Sequence, residues 1–132
     1  MIDHVSLGVS DLERSRLFYD AALRPIGLVR ILDFQGRGSD YGTMASPLGV
    51  EFTITKEIGV APLPGMHLCF LAPDRDAVHK FHAAALSAGG KDDGAPGLRT
   101  HYHASYYAAF ILDPDGHRIE VVCHAPDAPA VA

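Results

Sequence analysis

The chain contains one supersecondary unit twice. His4 and His67, Asp11 and Asp74, Phe18 and Phe81, Ala22 and Ala85, Leu23 and Leu86, and Gly27 and Gly90 are each separated by 63 residues. Two copies at so long a period exclude a solenoid, whose units of roughly 20–50 residues recur at least three times to bury a common core. The pattern points instead to two equal modules within one domain.

Each copy reads locally in the same way. Ile2–Val9 is short, β-branched at alternate positions and stopped by Ser10-Asp11, which predicts a strand. Ser10-Asp11-Leu12-Glu13 has capping-box spacing with Ser10 at the N-cap. Leu12, Ser15, Phe18, Tyr19, Ala22 and Leu23 then form one helical stripe, ended by Pro25 and Gly27. In the second copy Met66–Ala72 is the strand and Asp74 caps the helix. Ala77, Val78, Phe81, Ala85 and Ala88 form its stripe, and Gly89-Gly90 stop it.

Strand-like pieces follow both helices: Leu28–Phe34, Tyr41–Met44 and Val50–Thr55 in the first half, then an ill-defined stretch before Tyr106–Leu112 and Arg118–Val122 in the second. Asp113-Pro114-Asp115-Gly116 supplies a tight turn between the last two. Lys91–Thr100, rich in Gly and Asp, reads as a loop. Each half is therefore βαβββ, an α+β class, with module one at about residues 1–57, module two at about 65–124 and a loose tail at 125–132.

Strand alternation sorts the side chains, because the greasier face must lie under the helix. Val5, Leu7 and Val9 go under the first helix, leaving His4, Ser6 and Gly8 opposite. Leu68, Phe70 and Ala72 go under the second, leaving His67 and Cys69. Likewise Phe52 and Ile54, and Ile119 and Val121, face the helices while Glu51 and Glu120 point away. Glu51 and Glu120 then correspond at an offset of 69, with the longer loop of the second half accounting for the difference. Two histidines and two glutamates thus occupy matching places on the face opposite the helices. Imidazole with carboxylate is a ligand set for Fe, Mn, Ni, Co or Zn.

Composition narrows the partners. The 11 Lys and Arg against 16 Asp and Glu give a net charge of −5, and no basic run is present to meet phosphates, so nucleic acid is excluded. Apolar stretches are strand-sized, far short of the ~20 residues that span a bilayer, and Met1–His4 lacks the basic start of a secretory signal. Two cysteines suit a reduced, cytoplasmic chain, with Cys69 read as a buried packing thiol.

The runs His4-Val5-Ser6-Leu7-Gly8-Val9-Ser10-Asp11-Leu12-Glu13-Arg14-Ser15 into Phe18-Tyr19, Gly65-Met66-His67-Leu68, and Phe110-Ile111-Leu112-Asp113-Pro114-Asp115-Gly116 followed by Ile119-Glu120 resemble the vicinal oxygen chelate superfamily. This is the glyoxalase, bleomycin-resistance and extradiol-dioxygenase group, and the likeness spans Ile2 to about Val122. It implies two βαβββ modules forming an incomplete barrel, a divalent metal (Zn, Ni, Mn or Fe) inside it, and a homodimer. The family's ligand positions fall on His4, His67 and Glu120, with Glu51 as the fourth in glyoxalase-type members.

Three activities remain open, because one metal frame serves several chemistries. The first is a metal-dependent lyase or isomerase acting on a small oxygenated metabolite, with Glu120 or Glu51 as the base that moves a proton α to a carbonyl. Typical glyoxalase I has a basic residue where this chain has Gly8, which argues against glutathione as cosubstrate. The second is an extradiol-type Fe(II) dioxygenase using His4, His67 and Glu120. The third is a metal-free protein that sequesters a drug or metabolite, for which 8% aromatic residues and no Trp give a thin wall.

Pairing Leu112 with His117 across the turn puts Tyr107 on the Glu120 face, as a group that polarises an oxygen near the metal; a one-residue slip would put Tyr106 there. His101, Tyr102, His103 and Tyr106 are expected to line substrate, the first three as an extended segment that puts both imidazoles on one face. His79 and His82 are expected to face solvent, and His117 and His124 receive no role.

Overall fold

The computed structural model, which describes residues 1–45 and 49–127, contains the duplicated unit as two separate sheets with a helix each. The elements are β1 (Val5–Val9), α1 (Leu12–Leu23), a short 3-10 turn (Arg24–Ile26), β2 (Leu28–Phe34), β3 (Gly38–Thr43), β4 (Phe52–Lys56), β5 (His67–Leu71), α2 (Arg75–Ser87), β6 (Lys91–Leu98), β7 (Tyr107–Leu112) and β8 (Arg118–Cys123). The sheet orders are β1-β4-β3-β2 and β5-β8-β7-β6. The first and last strands of each module pair parallel, the others antiparallel, and neither sheet closes. This is the expected α+β arrangement. Of the tail expected at 125–132, residues 128–132 lie outside the described residues.

Aspartates start both helices. Asp74 accepts from the Ala77 N–H at 2.7 Å as expected, but in α1 the cap is Asp11, which accepts from the Arg14 N–H at 3.1 Å. Ser10 is instead drawn to Asp115, to which its backbone N–H donates at 3.1 Å. Gly27, at φ 90°, ends the first helical segment in the left-handed region that favours glycine.

The segment 91–100 corrects the loop expectation, since Lys91–Leu98 pairs with β7. Its ladder shifts register between Asp92 and Gly94 and again between Gly94 and Gly97. Glycines and Pro96 are what such irregular edge pairing tolerates, and they hid the strand from a pattern search.

Both helices and the helix-side faces of both sheets share one core. Phe18, Tyr19, Leu23, Tyr41, Phe52, Ile54, Phe81, Ile111, Ile119 and Val121 are fully buried in it. Each large apolar side chain so removed from water contributes about 1.5–3 kcal/mol. The aromatic contact of Phe52 with Phe70, centroids 5.4 Å apart, crosses from one module to the other. The turn at Asp113–Gly116 adds polar ties: the Tyr19 hydroxyl donates to Asp113 at 2.6 Å, and the His117 ring Nε2 meets the Gly8 carbonyl at 2.8 Å. Each sheet turns its other face away from this shared core. No helix among the described residues is long and apolar enough to cross a membrane.

Candidate metal-binding half-sites

The face of module two opposite α2 carries a continuous row. Cys69 pairs with Glu120, Glu120 with Phe110 and Phe110 with Gly94, across β5, β8, β7 and β6 in turn. Glu120 is only 3% exposed, which would be costly for a bare carboxylate. Two neighbours meet it: His67 Nε2 lies 3.1 Å from Oε1, and the Tyr106 hydroxyl donates to Oε2 at 2.5 Å. Burial, and then this hydrogen bond, push the Tyr106 hydroxyl above the ordinary tyrosine range. Partial loss of water around its sulfur, and then the Glu120 charge, push the Cys69 thiol up to about 12.

Two expectations change here. Leu112 pairs with Arg118 rather than His117, and this one-residue shift turns Tyr106 toward Glu120 and Tyr107 toward α2. The Tyr107 hydroxyl lies 2.6 Å from His79 Nε2, and the Arg75 guanidinium sits 4.8 Å from its ring centre. Tyr107 therefore has no place beside Glu120. Cys69 is exposed rather than a buried packing group.

His101, Tyr102 and His103 lie in turns rather than in an extended segment. Their rings gather around Tyr106: Tyr102 lies tilted 4.8 Å from it and His103 lies 5.4 Å away, while His101 packs on Tyr102 at 4.2 Å. His124 completes the group, its ring 5.3 Å from Tyr106 and its Nδ1 2.8 Å from His103 Nε2. Sequence reasoning missed His124, because only the packing of the 99–106 turn against the end of β8 reveals it. His82 is half-buried against Asp92, at 2.9 Å, rather than fully in solvent.

In module one, His4 and Glu51 stand just before β1 and β4, beside the first pair of the ladder, Val5 with Phe52. The Val5 N–H donates to the Glu51 carbonyl at 3.1 Å, which ties the two positions together. His4 is exposed and its Nδ1 meets Asp3 at 2.7 Å. The Glu51 carboxylate lies over Gly42, where an added Cβ would come within 3.2 Å of Oε2. Its side chain makes no hydrogen bond among the described residues.

The expected correspondence of Glu51 with Glu120 is not what the ladders show. Ser6 pairs with Thr53 and its repeat partner Cys69 pairs with Glu120, so Thr53 holds the register place of Glu120. Thr53 donates to Asp40 at 2.6 Å on that face. Glu51 sits level with Arg118, the partner of His67.

The four expected donors are thus divided two and two, His4 with Glu51 on one sheet and His67 with Glu120 on the other. Among the described residues no group of three or more His, Cys, Asp and Glu side chains is gathered to hold a metal. The donor chemistry suits a divalent ion, since each module offers one imidazole and one carboxylate. Each module thus presents two of the four expected donors.

The family model for the glyoxalase/bleomycin resistance protein/dioxygenase superfamily matches residues 1–121. Among solved structures, a glyoxalase/bleomycin resistance protein from Albidiferax ferrireducens is 31% identical, with a TM-score of 0.81 over 95% of this chain and 99% of that one. A glyoxalase I mutant from Zea mays is 25% identical, with a TM-score of 0.67 over 92% of this chain and 46% of that one. The fosfomycin resistance protein FosX from Listeria monocytogenes shares the fold, with a TM-score of 0.69, 14% identity, and coverage of 95% and 93%. No curated protein matches. Duplicated modules, unclosed sheets and the matched span together place this chain in the glyoxalase/bleomycin resistance protein/dioxygenase superfamily.

Proposed function

We propose that the chain is a metal-dependent lyase or isomerase of the glyoxalase type, acting on a small oxygenated metabolite. It works as a homodimer in which His4 and Glu51 of one protomer and His67 and Glu120 of its partner hold one divalent metal. The observation that carries this reading is the division of donors: each sheet presents one imidazole and one carboxylate, and a second copy is the simplest source of the missing half. The bound ion would polarise adjacent substrate oxygens and so acidify a proton α to a carbonyl.

The two carboxylates suit different roles. Glu120 is covered and held by Tyr106 and His67, so it serves as a fixed ligand. Glu51 is exposed and its side chain makes no hydrogen bond among the described residues, so it is free to leave the ion, take the substrate proton and return it. Tyr106, the alternative to Tyr107 under a one-residue slip, would orient Glu120. Tyr102, His101, His103 and His124 form a ring-lined wall beside it that would face substrate.

Elemental analysis of untagged protein tests the reading. It predicts about one metal per chain in the wild type, loss in His67→Ala, and no change in His79→Ala. Wild-type protein that takes up no metal after reconstitution would reject it in favour of a metal-free sequestering protein.

A further inference from the structure

Just past the glycine-rich β6, Arg99 lies in a fitted seat. Arg99 donates from Nη1 to the Gly97 carbonyl and from Nη2 to the Ala95 carbonyl, both at 2.9 Å. An added Cβ at Gly97 would stand 3.2 Å from Nη1, and one at Gly94 would stand 3.3 Å from Nη2. The two glycines leave the space the guanidinium occupies. Beneath it is the Phe110 ring, whose centre is 5.6 Å from the Arg99 guanidinium and 4.6 Å from that of Arg118. Phe110 is 8% exposed and is the direct strand partner of Glu120.

The two cations differ in what they have left to give. Arg118 Nε donates to Asp93 at 2.6 Å, so its charge is answered. Arg99 makes no ion pair among the described residues. A guanidinium has five N–H donors, and the two backbone bonds leave three of them available. A planar cation held in place with donors to spare is suited to a carboxylate or phosphoryl group, which it meets with paired hydrogen bonds.

We propose that Arg99 is the anion seat of the substrate site, so that the metabolite carries a carboxylate or phosphoryl group. This deepens the reading above and rests on the Glu120 face being the substrate face. Phe110 is one strand from Glu120 and Gly94 two, at about 4.8 Å per strand, so the anion would sit roughly 5–10 Å from the Glu120 carboxylate. That spacing selects a short metabolite. Asp92, Asp93 and Glu120 are the carboxylates near the seat; Asp92 accepts from the Gly94 N–H and meets His82, Asp93 is occupied by Arg118, and Glu120 would be neutralised by the ion it holds.

The test is a titration of the full-length protein, as purified and after chelation, with inorganic phosphate and separately with acetate, followed by amide and arginine Nε–H NMR. Saturable shifts at Arg99, Gly94 and Gly97 are expected with at least one probe, and the stronger probe identifies the kind of oxyanion. Arg99→Ala should weaken that binding at least tenfold, and Arg24→Ala should leave it unchanged. Gly97 has no positive φ and its obstruction is a side-chain tip, so Gly97→Ala should keep the fold and nudge the guanidinium, read as a shift of the Arg99 Nε–H signal. Absence of saturable shifts at these residues with both probes, or wild-type affinity in Arg99→Ala, would overturn the proposal. Saturable binding at Arg99 in a protein that takes up no metal would reject only the metal reading, whereas metal uptake without anion binding would reject only the anion seat.

Discussion

Glu120 takes its carboxylate into an almost wholly covered place on β8, and two donors offset the cost. Removing one leaves part of that cost unmet, at about 1–3 kcal/mol for a buried polar group. Tyr106→Phe should therefore lower stability by roughly this amount and weaken metal binding, while Tyr107→Phe should leave metal binding unchanged; denaturant melts and metal titration check both. The two tyrosines were adjacent candidates in sequence, and only the pairing of Leu112 with Arg118 separates them. A turn motif names the hairpin but leaves its register open by one residue, and one residue exchanges the faces.

A second residue-scale case concerns titration. The Ser39 hydroxyl donates to Asp33 at 2.7 Å, and this bond, opposed by partial burial and aided by Arg30 and Arg16, holds the Asp33 carboxyl below its ordinary value. A carboxyl whose folded value is depressed adds stability above its unfolded value and loses it as pH falls through the folded one. In Ser39→Ala the Asp33 midpoint, read by carboxyl NMR, should rise toward the ordinary range. A midpoint that stays depressed would assign the shift to the arginines.

At the scale of elements, helices were legible and one strand was not. The stripes in α1 and α2 place Phe18, Tyr19, Val78 and Phe81 in the core, because a period near 3.6 is written in the residues themselves. The cap of α1 lies one residue later than expected, at Asp11. Ser10 and Asp11 are both good caps, and the choice depends on Asp115, 105 residues away from Ser10, which draws Ser10 off. Asp11→Ala should cost about 1 kcal/mol by denaturant midpoint. The strand β6 was invisible because its glycines serve Arg99 and its bulged edge rather than strand propensity. A glycine-rich stretch beside a sheet can be a shaped strand, and its partner, not its composition, decides.

For the whole molecule, the duplication at 63 residues carried the architecture: two βαβββ modules with unclosed sheets and their helices in a shared core. The donors His4, Glu51, His67 and Glu120 were named from alternation alone, but alternation says which face a side chain takes and nothing about which faces meet. The repeat also implied a symmetry finer than the ladders keep, since Thr53, not Glu51, holds the register place of Glu120.

In the proposed homodimer two copies share each metal. Chains carrying His4→Ala and chains carrying His67→Ala should each lose the ion when prepared alone. Unfolded together and refolded as a mixture, they should form heterodimers in which the His4 of one chain meets the His67 of the other, restoring one intact site per heterodimer. Metal content measured on the separated heterodimer is predicted at about half the wild-type value. A heterodimer as empty as its parents would contradict the shared site.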